Sequence, residues 1–181
     1  AVQSWRRYCT GGELIDGAAT IEWNPTPLSF SPTPLGGSVK WTESDNAGKV
    51  YFLDSSGLLF RTTDYATAAQ LTGNTITNAT GNGLTYWKGY ILIARNGLLD
   101  AYNISSGNWT SGFATLAISR SGVNPLFVGQ DDKVYLGNGR NVASLTENSG
   151  QVFDPATGAT FTFNATALKL PQDYAVVSFA E

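Results

Sequence analysis

Gly48-Lys49-Val50-Tyr51-Phe52-Leu53-Asp54-Ser55-Ser56-Gly57-Leu58-Leu59-Phe60 is an apolar strand, a tight turn and a second strand. The pattern returns as Gly89-Tyr90-Ile91-Leu92-Ile93-Ala94-Arg95-Asn96-Gly97-Leu98-Leu99-Asp100-Ala101-Tyr102. A third copy reads Asp132-Lys133-Val134-Tyr135-Leu136-Gly137-Asn138-Gly139-Arg140-Asn141-Val142-Ala143. The turn glycines Gly57, Gly97 and Gly139 stand 40 and 42 residues apart. That period is the size of one four-stranded propeller blade.

The reading is an all-β chain. It is a partial β-propeller of about three four-stranded antiparallel blades, preceded by a Pro-rich extended segment. The alternative is a β-sandwich, which supplies strands of similar length without the repeat. Residues 1–36 form the N-terminal strap. Blade 1 covers 37–83, blade 2 covers 84–123 and blade 3 covers 124–172. Residues 173–181 read as the first strand of a further blade. No three-turn amphipathic helix pattern occurs.

Four of the seven prolines fall between Trp23 and Pro34. Proline removes a ladder donor, so this stretch is expected to be extended and outside any sheet. Its apolar residues, Leu28 and Phe30 among them, favour a strap lying on the repeats. Asn96-Gly97 is the best type I′ turn signal. Residues 64–71 hold either a weak outer strand or a short helical turn, and Thr72–Gly83 is turn and loop. Gln151-Val152-Phe153 pairs back across the turn at Glu147–Gly150. An open array of three blades leaves two sheet faces uncovered, which points to neighbours of the same or another kind.

Charged residues make up 14% of the chain against about 25% in a typical globular domain. Net charge is −3 and no basic run exists, so nucleic acid is not an expected partner. No apolar stretch reaches the length of a membrane span. The single cysteine, Cys9, has no partner for an internal disulfide, and without histidine there is no structural zinc set.

The absence of histidine also removes Ser-His-Asp and Cys-His nucleophilic sites. The string Ser105-Ser106-Gly107-Asn108-Trp109 lacks the aspartate of a sialidase-type Asp-box. Asp54, Asp100 and Asp132 sit at hairpins, where turn-forming is the default role. Calcium at Ser44–Gly48 or Gln130–Asp132 is conceivable, yet ordinary turns account for both. No catalytic residue, metal or cofactor is assigned. Trp87, Tyr90 and Trp109 are the candidate glycan platform, because sugars stack on aromatic faces beside amides and carboxylates. Core packing is the competing use of the same rings.

The segment Asn124–Leu145 and the later Phe163-Asn164-Ala165-Thr166-Ala167-Leu168-Lys169-Leu170-Pro171-Gln172-Asp173-Tyr174 resemble blades, and the connector between blades, of bacteriophage tail-associated and related environmental bacterial proteins. The resemblance implies a structural and adhesive role on a virion or cell surface, without catalysis. The expected function is a non-enzymatic structural or adhesive subunit of an extracellular assembly, a phage tail, virion or surface filament. A carbohydrate-binding propeller module is the alternative, and a glycoside hydrolase ranks third. Expected partners are protein subunits of the assembly and a surface glycan.

Overall fold

The computed structural model describes residues 28–30, 36–71, 81–95, 97–117 and 123–171, with 174, 176 and 179. Sheet one takes β1 (Ser29–Phe30), β2 (Val39–Ser44), β3 (Val50–Asp54), β4 (Leu59–Thr62) and β5 (Thr67–Gln70). Sheet two is β6 (Gly81–Trp87), β7 (Tyr90–Arg95), β8 (Leu98–Asn103) and β9 (Trp109–Thr115). Sheet three is β10 (Leu126–Val128), β11 (Val134–Asn138), β12 (Asn141–Glu147) and β13 (Phe161–Lys169). From β2 to β13 every sheet is four consecutive strands in chain order, paired antiparallel. The first strands meet, with β6 touching both β2 and β10. Each of these sheets, called a blade below, is thus built from consecutive strands, and the first strands of successive sheets touch.

Gly57, Gly97 and Gly139 occupy the same turn in each blade, between its second and third strands, at φ 85°, 84° and 63°. This left-handed region is cheap only for glycine. The turn between β6 and β7 is Lys88-Gly89, at φ 48° and 81°. Two residues at positive φ make it a type I′ turn, whose twist matches the strands it joins. Asn96, of the expected type I′ pair, lies outside the described residues.

Sheet two explains the apolar run Ile91–Ala94. Its strands β7 and β8 have four consecutive buried residues each, because both faces are covered. On one side Ile91, Ile93 and Tyr102 pack on Tyr51, Leu53 and Leu59 of blade 1. On the other Leu92, Ala94, Leu99 and Ala101 pack on Val134, Leu136 and Leu145 of blade 3. The sandwich alternative shares such face-to-face packing. Here three sheets follow one another.

The end of each second strand has a fixed task. Asp54 ends β3 fully buried. Its Oδ1 accepts the amides of Ser56 and Leu58, and its Oδ2 accepts the amide of Gly36 at 2.8 Å. Asn138 ends β11, and its Oδ1 accepts the amide of Ala117. Both side chains tie the chain arriving before the blade to that blade's turn. At the matching place in blade 2, Arg95 pairs with buried Asp100 instead. Tyr51 and Tyr135 are likewise equivalent. Each is the second residue of its strand, and each hydroxyl donates to an aspartate of the preceding loop, Asp45 or Asp131. Tyr90 sits one place earlier in its strand and is not their counterpart.

Several expectations change. Ser29–Phe30 joins the sheet, pairing parallel with Thr67–Ala68, although the Pro-rich stretch was expected outside it. Two residues between prolines suffice when they add at an edge. The Phe30 ring then meets Phe60 and Phe52 edge-on, at 5.2 and 5.8 Å. Part of the far face of blade 1, where Phe60, Thr62 and Ala68 are buried, is thus covered by the chain itself. Residues 67–70 are a strand, not a helical turn. β6 begins at Gly81, inside the expected loop and three residues before the expected boundary of blade 2. Gln151–Phe153 forms no strand. β13 pairs with β12 instead, and Phe153 is driven between blades 2 and 3. Of 173–181, the described residues carry no strand, but Val176 approaches Gly137 and Phe179 stacks on Phe127 at 6.0 Å.

Candidate functional site

The expected aromatic platform is not one surface. Trp87 pairs with Tyr90 across the turn, and both side chains face blade 3. Trp109 pairs with Tyr102 on the opposite face of the same sheet, towards blade 1. Trp87 is 2% exposed and its ring lies 4.7 Å from that of Phe153. It has no free face for a sugar. Tyr90, Phe113 and Phe161 meet Phe153 as well, at 5.2, 6.0 and 5.6 Å. Trp109 leans on Tyr102 at 5.0 Å. These rings serve the two junctions between blades. Strand parity separates Trp87 from Trp109, but a bulge between Leu99 and Ala101 hides that parity in the sequence.

A hollow of about 570 Å³ opens beside these residues, where the first strands run into their turns. It gathers Glu43 and Ser44 from β2, Tyr86 from β6, Lys88 from the type I′ turn, Phe127 from β10 and Asp132 from the next turn. All three blades contribute because their first strands converge. Asp132 holds φ 59°, an uncommon conformation outside glycine, in the loop position that Gly48 fills in blade 1. Its backbone oxygen and its Oδ1 both accept the Trp87 indole N–H, at 3.1 and 3.2 Å. Its Oδ2 takes the Lys88 ammonium at 2.5 Å.

Lys88 also reaches Glu147 at 3.5 Å and stands 5.5 Å from the Trp87 ring centre. The hydrogen bond to Asp132 is the main reason its pKa rises, with Glu147 adding to it. A lysine held charged in this way is a fixed cation and not a nucleophile. The other oxygen of Glu147 accepts the amide of Phe153 at 2.8 Å, so one carboxylate links the hollow to the aromatic plug.

A second hollow, about 510 Å³, lies at the junction of blades 1 and 2. Asp45, Asn46, Lys49, Tyr86 and Ser105 line it. Asp45 is occupied: its Oδ1 accepts the amides of Ala47 and Lys49, and its Oδ2 accepts the Tyr51 hydroxyl. Burial first, and then the Asp45 carboxylate, push the Tyr51 phenol above its ordinary range. In blade 3 the carboxylate moves along the loop. Lys133, then Tyr135, hold Asp131 below the usual carboxylate range. Residue 129 is glycine there, since a Cβ would stand 2.8 Å from both Asp131 and Tyr135. In the two loops where calcium was conceivable, Asp45 and Asp131 thus serve their own loops, while Asp132 serves Trp87 and Lys88 of blade 2. Among the described residues no cluster of three or more acidic or thiol side chains is arranged for a metal.

This is an all-β chain of three antiparallel blades with polar hollows where the first strands meet. No family model matches it, and no curated protein does. Among solved structures it is similar to the extracellular domain of a hybrid two-component system from B. thetaiotaomicron, at 14% identity and a TM-score of 0.35. The match covers 76% of this chain and 22% of that one, so the chain spans about a fifth of that structure. Among the described residues no helix is long and apolar enough to cross a membrane.

Proposed function

We propose that the chain is a non-enzymatic structural and adhesive subunit of an extracellular assembly, such as a phage tail, virion or surface filament. One observation carries the reading: among the described residues, the far face of blade 3 is covered in part, by Val176 against Gly137 and Phe179 against Phe127, and stays half-open elsewhere. Phe127, Tyr135, Ser144, Thr162 and Asn164 are half-buried or exposed there, whereas blade 2 is closed on both sides. Leu168 and Tyr174 nearby are 59% and 65% exposed. Such a face is completed by a neighbouring sheet. The low charge, the Ser/Thr/Asn-rich surface and the resemblance of 124–174 to tail-associated blades favour an assembly outside the cell.

The absence of catalysis is part of the same reading. Lys88 is a held cation, Asp132 is bound to it and to Trp87, and Asp45 and Asp131 close their own loops. Sedimentation velocity across a hundredfold concentration range tests the proposal. Reversible association is expected, weakened by Tyr135→Glu on the far face. A concentration-independent monomer that binds no hydrophobic dye ends it.

A further inference from the structure

The two hollows share a wall. Half-buried Tyr86 and exposed Asn46 line both, so a hollow at the meeting of three blades adjoins a hollow between blades 1 and 2 at these two residues. We infer that the chambers are consecutive subsites for a linear neutral oligosaccharide that crosses Tyr86.

The chemistry of the walls selects that ligand. One chamber offers Glu43 and Asp132 as acceptors with Lys88 as donor and Ser44 as both. The other offers Lys49, Asn46 and Ser105 beside Asp45. Donors and acceptors of both signs alternate within a few residues. A strongly charged ligand meets its own sign in either chamber, whereas hydroxyl groups pair with every one of these side chains. Glu43 is the least committed carboxylate: its Oε1 accepts the neighbouring amide of Ser44, and no cation pairs with it among the described residues. Tyr86 packs partly on the blade 1–2 junction and is half-buried, so the part of it that lines the hollows supplies an apolar edge and a polar tip to adjoining sugar units. Lys88 is already paired with Asp132 and Glu147 beside the Trp87 ring, so a cation stands at the rim before any ligand arrives.

The inference deepens the adhesive reading and rests on it. It also replaces the Trp87, Tyr90 and Trp109 platform with a groove built from Tyr86, Asn46 and Glu43.

Titration calorimetry of the whole chain with cellotetraose, maltotetraose and N-acetylchitotetraose, each against its monosaccharide, decides the matter. At least one tetrasaccharide should bind about tenfold more tightly than its monomer, since two subsites act together. Tyr86→Ala should weaken that binding about tenfold. Asn46→Ala and Glu43→Gln are surface changes that leave the fold intact, and each should weaken it several-fold. Trp109→Phe should leave it unchanged. The inference falls if none of the three tetrasaccharides binds. It also falls if Asn46→Ala and Glu43→Gln bind as the parent does, or if Trp109→Phe alone abolishes binding. Parallel sedimentation separates the two ideas. Association without sugar binding removes the groove and keeps the assembly; sugar binding by a strict monomer does the reverse.

Discussion

Phe153 shows how one side chain can hold a junction. Four aromatic rings from β6, β7, β9 and β13 touch it, and its amide binds Glu147. Phe153→Ala should cost about 3–5 kcal/mol, measured by urea unfolding, because that cage cannot collapse onto an alanine. Nothing in Gln151-Val152-Phe153 announces this role. The segment reads as a strand, and only the long-range return of β13 forces it aside. The site was legible to the same extent. Aromatic residues near Lys88-Gly89 do mark the place, but the indoles that stand out in sequence, Trp87 and Trp109, pack at the blade junctions. Tyr86, which lines the groove, is distinguished from Trp87 only by alternation along β6, a property that gains meaning once neighbouring sheets are in position.

Loops and strands carry the next set of consequences. Asp64 organises the turn between β4 and β5. Its Oδ1 accepts the amides of Ala66 and Thr67, and its Oδ2 the Thr67 hydroxyl, while Tyr65 sits at φ 56°. The backbone bonds from Thr67 and Ala66 hold its carboxyl well below the usual range. A depressed folded value means that the stabilisation is complete above the unfolded value, about 3.9. It drains away as pH falls below that value towards the folded one. Urea midpoints should therefore favour the parent over Asp64→Asn at pH 5, with the gap closing below about pH 4. Gly83 makes a different demand. A Cβ there would stand 2.1 Å from the backbone oxygen of Asn124, so β6 runs against the chain entering β10. Gly83→Ala should cost about 1–3 kcal/mol or shift the two strands apart, visible as a lowered thermal midpoint. At this scale the sequence was readable where structure is local. Hairpins around Gly57, Gly97 and Gly139 declare themselves through turn chemistry. The start of β6 did not, because Gly81-Asn82-Gly83 has loop composition and becomes a strand through pairing with Arg95 and Ala94.

Across the molecule, a 40-residue repeat translated into three blades because each hairpin pair closes locally, while their packing on one another follows from two apolar faces per sheet. What the repeat could not convey is that the first blade carries its own cover. Phe30→Ala should cost about 2 kcal/mol, half the loss of a fully buried ring, and raise hydrophobic-dye fluorescence before the main thermal transition. The same cover has a kinetic side. β1 holds β5 over two residues, with Ser29 donating to the Ala66 oxygen at 2.9 Å. Opening that short latch bares a strand edge and two phenylalanines in one event. Clumping on warming should therefore follow release of this latch and not the melting of the core.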